Sequence, residues 1–172
     1  AIYELDALPA DCDIALVVVV NAEQVEQVLM GPRGAAAHLP AGAVVAVCST
    51  VSPAFARTMA ARVEDLGLHY LDTPISGGSA RAAEGSLTVM ASGSPAAFER
   101  AQTALDGIAS TVHRLSEAAG DGSAYKMINQ LLAGVHIVAA AEAMSFGIKN
   151  GLDPHALYEV ITESAGNSWM FE

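Results

Sequence analysis

At 172 residues and 52% hydrophobic content, the chain can bury a good core and is sized for one domain or slightly more, which excludes a disordered polypeptide. Eight Lys and Arg against nineteen Asp and Glu give a net charge of −11, so no nucleic acid and no anionic membrane surface is expected as a partner, and an anionic ligand needs a local positive site. The apolar runs are short and broken by Gly, Pro, Asp or Asn, and the first twenty residues carry four acids and no base, so neither a membrane span nor a secretory signal is read.

In chain order, Ile14 to Val20 is a continuous β-branched and apolar run, the pattern of a strand buried on both faces in a parallel sheet. Asn21 and the Glu/Gln-rich stretch to Met30 read as a helix. Ala43 to Cys48 is a second buried strand, Ser49-Thr50 a turn, and Pro53 suits the first turn of a helix to about Leu66, ended by Gly67. A short strand at Leu68 to Asp72, a Gly-rich loop, a strand at Leu87 to Ala91, a helix from Pro95 and a strand near Thr111 to Leu115 follow.

After Glu117 the β signal disappears. Ser123 to Lys149 is Ala-, Leu- and Met-rich with helical spacing and reads as one long helix; Gly151 stops it, and Asp153-Pro154 begins another in the Asp-cap, Pro-first order. The alternation predicts an α/β fold, a partial Rossmann-type doubly wound parallel sheet, followed by the start of an all-α domain on a long interdomain helix. Residues 1–117 form the first domain and residues 118–172 the second. No GxGxxG turn, the usual seat of a dinucleotide pyrophosphate, follows any strand, so the chain reads as beginning after it.

Cys12 and Cys48 belong to no CxxC or Cys/His cluster and read as reduced, buried thiols of a cytoplasmic protein. His38, His69, His113 and His155 form no spaced cluster and His136 reads as a core residue, so no metal site is expected. Trp169-Met170-Phe171 also reads as core.

Two stretches carry chemistry. Asp72-Thr-Pro-Ile-Ser76-Gly77-Gly78-Ser79 runs from a strand into adjacent glycines, where backbone N–H groups can converge on a carboxylate and Ser76 adds a hydroxyl; a tight loop needing positive φ is the plainer reading. Gly120-Asp-Gly122-Ser-Ala-Tyr-Lys126-Met-Ile-Asn129-Gln130 puts Lys126, Asn129 and Gln130 on one helix face by i, i+3, i+4 spacing. A lysine whose pKa is lowered can take a hydroxyl proton and the amides can hold substrate oxygens, though a solvated face has the same pattern. Val19, Val20, Asn21 and Thr50 follow strand ends, where α/β folds bind ligands and where ordinary turns also lie.

Taken together, Asp72-Thr-Pro-Ile-Ser-Gly-Gly78, Ala83-Glu-Gly85-Ser-Leu87, Gly120-Asp-Gly122 with Lys126 and Asn129, and Glu142-Ala-Met resemble the β-hydroxyacid dehydrogenase family over nearly the whole chain. Val19-Val20 stands where the family often has Leu-Pro, and Asn129-Gln130 where it often has Asn-Asn. Val17 to Asn21 and the tail Ala165 to Glu172 look most like the branch acting on L-threonate. The resemblance implies a homo-oligomeric enzyme using NAD, with NADP possible, on a small carboxylate. By that resemblance Lys126 is catalytic, Ser76, Gly77 and Gly78 hold the substrate carboxylate, Asn129 and Gln130 line the substrate pocket, and Val19, Val20, Asn21 and Thr50 meet the dinucleotide. Branches acting on 3-hydroxyisobutyrate or tartronate semialdehyde, and a non-catalytic interaction module on the same fold, are the alternatives. The family's glycine fingerprint and full helical domain are missing, so an internal piece of a longer enzyme is expected.

Overall fold

The computed structural model describes residues 8, 9 and 11–172. Two compact units divide the chain, Ala1–Met127 and Ile128–Glu172.

The first unit is a mixed sheet with helices. Strands β1 (Ile14–Val17), β2 (Val44–Val47) and β3 (His69–Asp72) run parallel, linked by α1 (Ala22–Met30) and α2 (Pro53–Glu64). The two-residue β4 (Ile75–Ser76) and the six-residue α3 (Gly78–Ala83) lead into β5 (Leu87–Gly93). Helix α4 (Pro95–Ile108) returns the chain to β6 (Ala109–Ser116), parallel to β5. Both β3 and β4 pair antiparallel with β5. The sheet is therefore parallel in its larger part and not throughout, because the chain reverses here without a crossover. Gly77, Gly78 and Gly85 hold φ of 143°, 67° and 64°, values that L side chains avoid.

Side-chain alternation explains the two cores. Val45, Val47 and Tyr70 pack with Val25 and Leu29 of α1 and Met59 and Val63 of α2, whereas Val44, Ala46, Leu71 and Val89 pack with Phe98, Ala101 and Leu105 of α4. All four β2 residues are buried, as expected for a strand covered on both faces. Asn21, Ser52 and Ser94 cap α1, α2 and α4 by accepting backbone N–H bonds, each cap contributing about 1 kcal/mol, and Pro53 and Pro95 occupy first turns.

The first strand is shorter than its apolar run. Val17 is its last paired residue; beyond it the Val19 N–H donates to Ser49 Oγ at 3.0 Å and the Val20 N–H to Gln24 Oε1 at 2.8 Å. These side-chain acceptors replace the ladder, so β-branching continues where pairing does not.

Helix α5 (Asp121–Lys149) starts in the first unit and runs through the boundary at residue 127. Among the described residues it is the one helix long and apolar enough to cross a membrane by length and composition. The second unit holds the rest of α5 and α6 (Pro154–Thr162), capped by Asp153. Leu157 sits against Gly147, and Tyr158 stacks on Phe171 with ring centroids 5.5 Å apart. His136 is exposed and Trp169 is 53% exposed, so neither is the buried core residue expected.

Candidate functional site

The C-terminal ends of β1, β2 and β3 form one edge. Val18 and Val20 emerge from β1 at 64% and 82% exposure, and Asn21 and Thr50 are exposed beside them. The Val19–Ser49 bond ties the first strand-end loop to the second, and Cys48 Sγ lies 3.6 Å from Thr73 Oγ1, linking the second to the third. Burial raises the Cys48 thiol pKa, only partly offset by Thr73, which marks this cysteine as an inert packing group. Beyond Asp72 the chain continues through Thr73-Pro74 into β4, so Ser76, Gly77 and Gly78 lie past the same edge. The open space around Gly78 shows that its φ, and not crowding, selects glycine; at Gly77 a Cβ would also lie 2.8 Å from Arg81 Cβ and 2.9 Å from Leu87 Cδ2.

The start of α5 is docked onto this edge. Asp72, the last residue of β3, is fully buried. Its Oδ2 accepts the Ser123 N–H at 2.7 Å and the Gly120 N–H at 3.1 Å, and its Oδ1 accepts the Ser123 hydroxyl at 2.7 Å. Ser92, paired with Asp72 across β5, accepts the Gly122 N–H at 3.0 Å and donates towards Asp72 Oδ2 at 3.5 Å. N–H groups that every helix start leaves unpaired are thus satisfied from the sheet. Burial holds the Asp72 carboxyl above its usual range, opposed by the Ser123, Gly120 and Ser92 donors.

The Gly120-Asp-Gly122 pattern has a steric origin. Gly120 has φ of 97°, and a Cβ there would lie 2.8 Å from the Pro53 carbonyl oxygen at the start of α2. At Gly122 a Cβ would overlap the Met90 carbonyl oxygen and approach the Asp72 carbonyl oxygen to 2.8 Å. Only a helix start without side chains comes this close to strand ends.

One turn after Ser123 comes Lys126, on the same inward face: Ser123 is fully buried and Lys126 is 7% exposed, while Tyr125 and Met127 are more than half exposed. The solvated-face reading of this lysine is therefore excluded. Among the described residues its amine has no hydrogen-bond or ion-pair partner, and burial lowers its pKa. Asn129 and Gln130 follow at i+3 and i+4 in the second unit; Asn129 is half-buried, Gln130 exposed, and the Asn129 Nδ2 donates to Gln130 Oε1 at 3.3 Å. No hydrogen bond joins Ser76, Gly77 or Gly78 to Lys126. The structure thus brings the strand-end loops and the base of Lys126's helix to one edge, and leaves the two amides bonded to each other.

Comparison with known proteins identifies what this edge belongs to. Residues 1–116 match the family described as the NAD binding domain of 6-phosphogluconate dehydrogenase, and residues 120–172 match the NAD-binding domain of NADP-dependent 3-hydroxyisobutyrate dehydrogenase. The chain belongs to the 3-hydroxyisobutyrate dehydrogenase-like, or β-hydroxyacid dehydrogenase, family. An L-threonate dehydrogenase from Cupriavidus necator is 54% identical over 165 residues, covering 96% of this chain and 56% of that protein. The crystal structure of a 3-hydroxyisobutyrate dehydrogenase from Salmonella typhimurium aligns with a TM-score of 0.89 at 51% identity, over 93% of this chain and 55% of that one. A complex of Psf3 with NADP+ and 2-OPP aligns at 0.86 and 29% identity, over 92% and 56%. The chain spans about half the length of the curated relatives it matches. The Rossmann-like assignment therefore stands for this β-hydroxyacid dehydrogenase family member, with the antiparallel β3–β5 pairing as the refinement.

For a nicotinamide dinucleotide, the exposed Val18, Val20 and Thr50 offer what the ligand needs at strand ends: apolar surface for ring faces and a hydroxyl for a sugar or amide. These residues fit the group. The glycine turn for the pyrophosphate is not in the sequence.

The sequence reading left Asp72, Ser92 and Ser123 without roles. Their signal is three-dimensional, a carboxylate capping a helix that starts about fifty residues later, and no local spacing reveals such a pair.

Proposed function

We propose that the whole protein is a NAD(P)-dependent dehydrogenase of a small 3-hydroxy acid, with L-threonate as substrate and Lys126 as the proton-transferring residue. The observation that carries this reading is a buried lysine with no partner among the described residues, its pKa lowered by burial, on a helix anchored at the C-terminal strand edge of a Rossmann-like sheet. A buried amine held towards its neutral form can accept a hydroxyl proton, and a surface lysine at its ordinary pKa cannot do so well at neutral pH.

The bound dinucleotide supplies the hydride acceptor. Val19, Val20, Asn21 and Thr50 seat it at the strand ends. Ser76, Gly77 and Gly78 hold the substrate carboxylate through backbone N–H groups and a hydroxyl. Lys126 takes the hydroxyl proton, and Asn129 and Gln130 line the substrate pocket. In this assignment residues 1–117 are the partial dinucleotide-binding domain and residues 118–172 begin a helical substrate and dimerisation domain, in which α5 is a core helix of a cytoplasmic homo-oligomer. The exposed apolar residues of α5, Leu131, Leu132 and Val135 among them, are what such packing would cover.

The test is NAD and NADP reduction by the full-length protein with L-threonate, 3-hydroxyisobutyrate, glycerate and related hydroxy acids. Preference for L-threonate is expected, and preference for another acid reassigns the branch. Lys126→Ala should lower turnover at least about 100-fold while sparing cofactor affinity. Near-normal turnover in that variant refutes the lysine mechanism, and no reduction with any acid favours a binding module.

A further inference from the structure

The carboxylate of Asp72 holds three groups at the start of α5, the N–H of Gly120 and both the N–H and hydroxyl of Ser123, and Ser92 holds the N–H of Gly122. Asp72 is itself fixed: it ends β3, pairs with Ser92 on β5 and is fully buried. Any rotation of α5 about its axis, or slide along it, breaks several of these bonds together, and the missing side chains at Gly120 and Gly122 allow the contact but do not set its angle. Lys126 lies three residues after Ser123, so its direction follows that turn. Its own amine contributes no bond that would hold it in place.

We infer that Asp72 is a positioning residue for Lys126, acting through the first turn of α5, and this rests on Lys126 being the proton-transferring residue. Asp72 acts by geometry. No bond joins the Lys126 amine to Asp72, whose carboxylate reaches the lysine through the helix start that it holds. Ser92 and Ser123 complete the clamp as relay and ligand.

The experiment compares Asp72→Ala, Asp72→Asn, Ser123→Ala and Lys126→Met in the full-length protein, with L-threonate and NAD, reading kcat and both KM values separately. A displacement of about 1 Å at a reacting group costs on the order of 100-fold, so Asp72→Ala should lower kcat by about that factor with the KM for NAD within about twofold. Asp72→Asn should recover at least about tenfold of the loss, because its Oδ1 accepts both backbone N–H groups while its amide donates to the Ser123 hydroxyl. Ser123→Ala removes one bond of the clamp and should lower kcat severalfold at unchanged KM. If Asp72→Ala does not fold, the Asn and Ser123 variants decide. Unchanged kcat in the Asp72 variants, an Asn variant no better than Ala, or a loss carried by the KM for NAD overturns the positioning role. Retained turnover in Lys126→Met removes the lysine mechanism and the positioning role with it; loss there beside unaffected Asp72 variants removes the positioning role alone.

Discussion

Lys126→Met separates function from stability in opposite directions. Lysine at this position is 7% exposed and its amine lacks a partner among the described residues; the amine nitrogen is nevertheless not one of the fully buried unpartnered atoms, so burial disfavours its charged form while leaving it some contact with solvent. Methionine keeps an unbranched apolar stem and removes the amine. Leaving a fully buried polar group unpaired costs about 1–3 kcal/mol by mutational measurement; this amine keeps some solvent contact, so the variant should be more stable by less than that. For a domain of this size each kcal/mol moves the melting temperature by roughly 2–4 °C.

The pH dependence gives the sharper test. The folded-state pKa of Lys126 is lowered, so between that value and the unfolded value of about 10.4 the unfolded chain binds a proton that the native chain does not. Wild-type stability therefore rises with pH through that window, whereas the Met variant has no such contribution. The stability gap between them should be fully present below the lowered pKa and shrink as pH climbs towards 10.4. Thermal or urea melts of both proteins at pH 7, 8, 9 and 10 measure it. A Met variant that melts below wild type at pH 7, or a gap that widens with pH, refutes the claim that burial disfavours the charged form of this lysine.

Tyr70→Phe should also stabilise the fold: the hydroxyl is buried with no hydrogen-bond partner among the described residues, burial with the nearby Asp72 and Cys48 pushes its pKa upward, and removing an unsatisfied group recovers about 1 kcal/mol in a urea melt. A loss of stability there would mean that the hydroxyl has a partner. Gly122→Ala should detach the start of α5, since its Cβ overlaps backbone oxygen at Met90 and Asp72 and neither strand can retreat without losing β3–β5 pairing. In the full-length protein we expect kcat to fall by on the order of 100-fold with far-ultraviolet circular dichroism preserved, and wild-type turnover would show that the helix start is more tolerant than the contact implies.

What was legible in the sequence follows the range of the interaction behind it. Three helix starts with proline in the first turn, at Pro53, Pro95 and Pro154, were readable because the signal is adjacent to the helix that it starts. The fully buried Val44–Val47 strand was readable because both of its faces are apolar. The end of β1 was not: Val18 to Val20 keep the β pattern and leave the sheet because Ser49 and Gln24 supply acceptors from elsewhere. Nor was the antiparallel turn at β4, since a two-residue strand and a six-residue helix are too short for either periodicity to register. At the site, the residue types around Ser76 and Lys126 were visible, while the carboxylate that holds Lys126's helix is visible only once β3 and α5 meet.

The two buried ionisable groups at this edge are built on opposite principles. Asp72 sits among donors from Gly120, Ser92 and Ser123, which is what a permanent scaffold requires, because a partly satisfied buried carboxylate would weaken the fold it anchors. Lys126, one turn away, is given burial and no acceptor. A group that serves only the fold gains nothing from that arrangement, since apolar side chains fill the same space at lower cost. A lysine with no acceptor among the described residues, on a helix start held by a satisfied carboxylate, fits the proton acceptor proposed above. That contrast, more than the identity of either residue, is why we assign the chemistry to the lysine and the geometry to the aspartate.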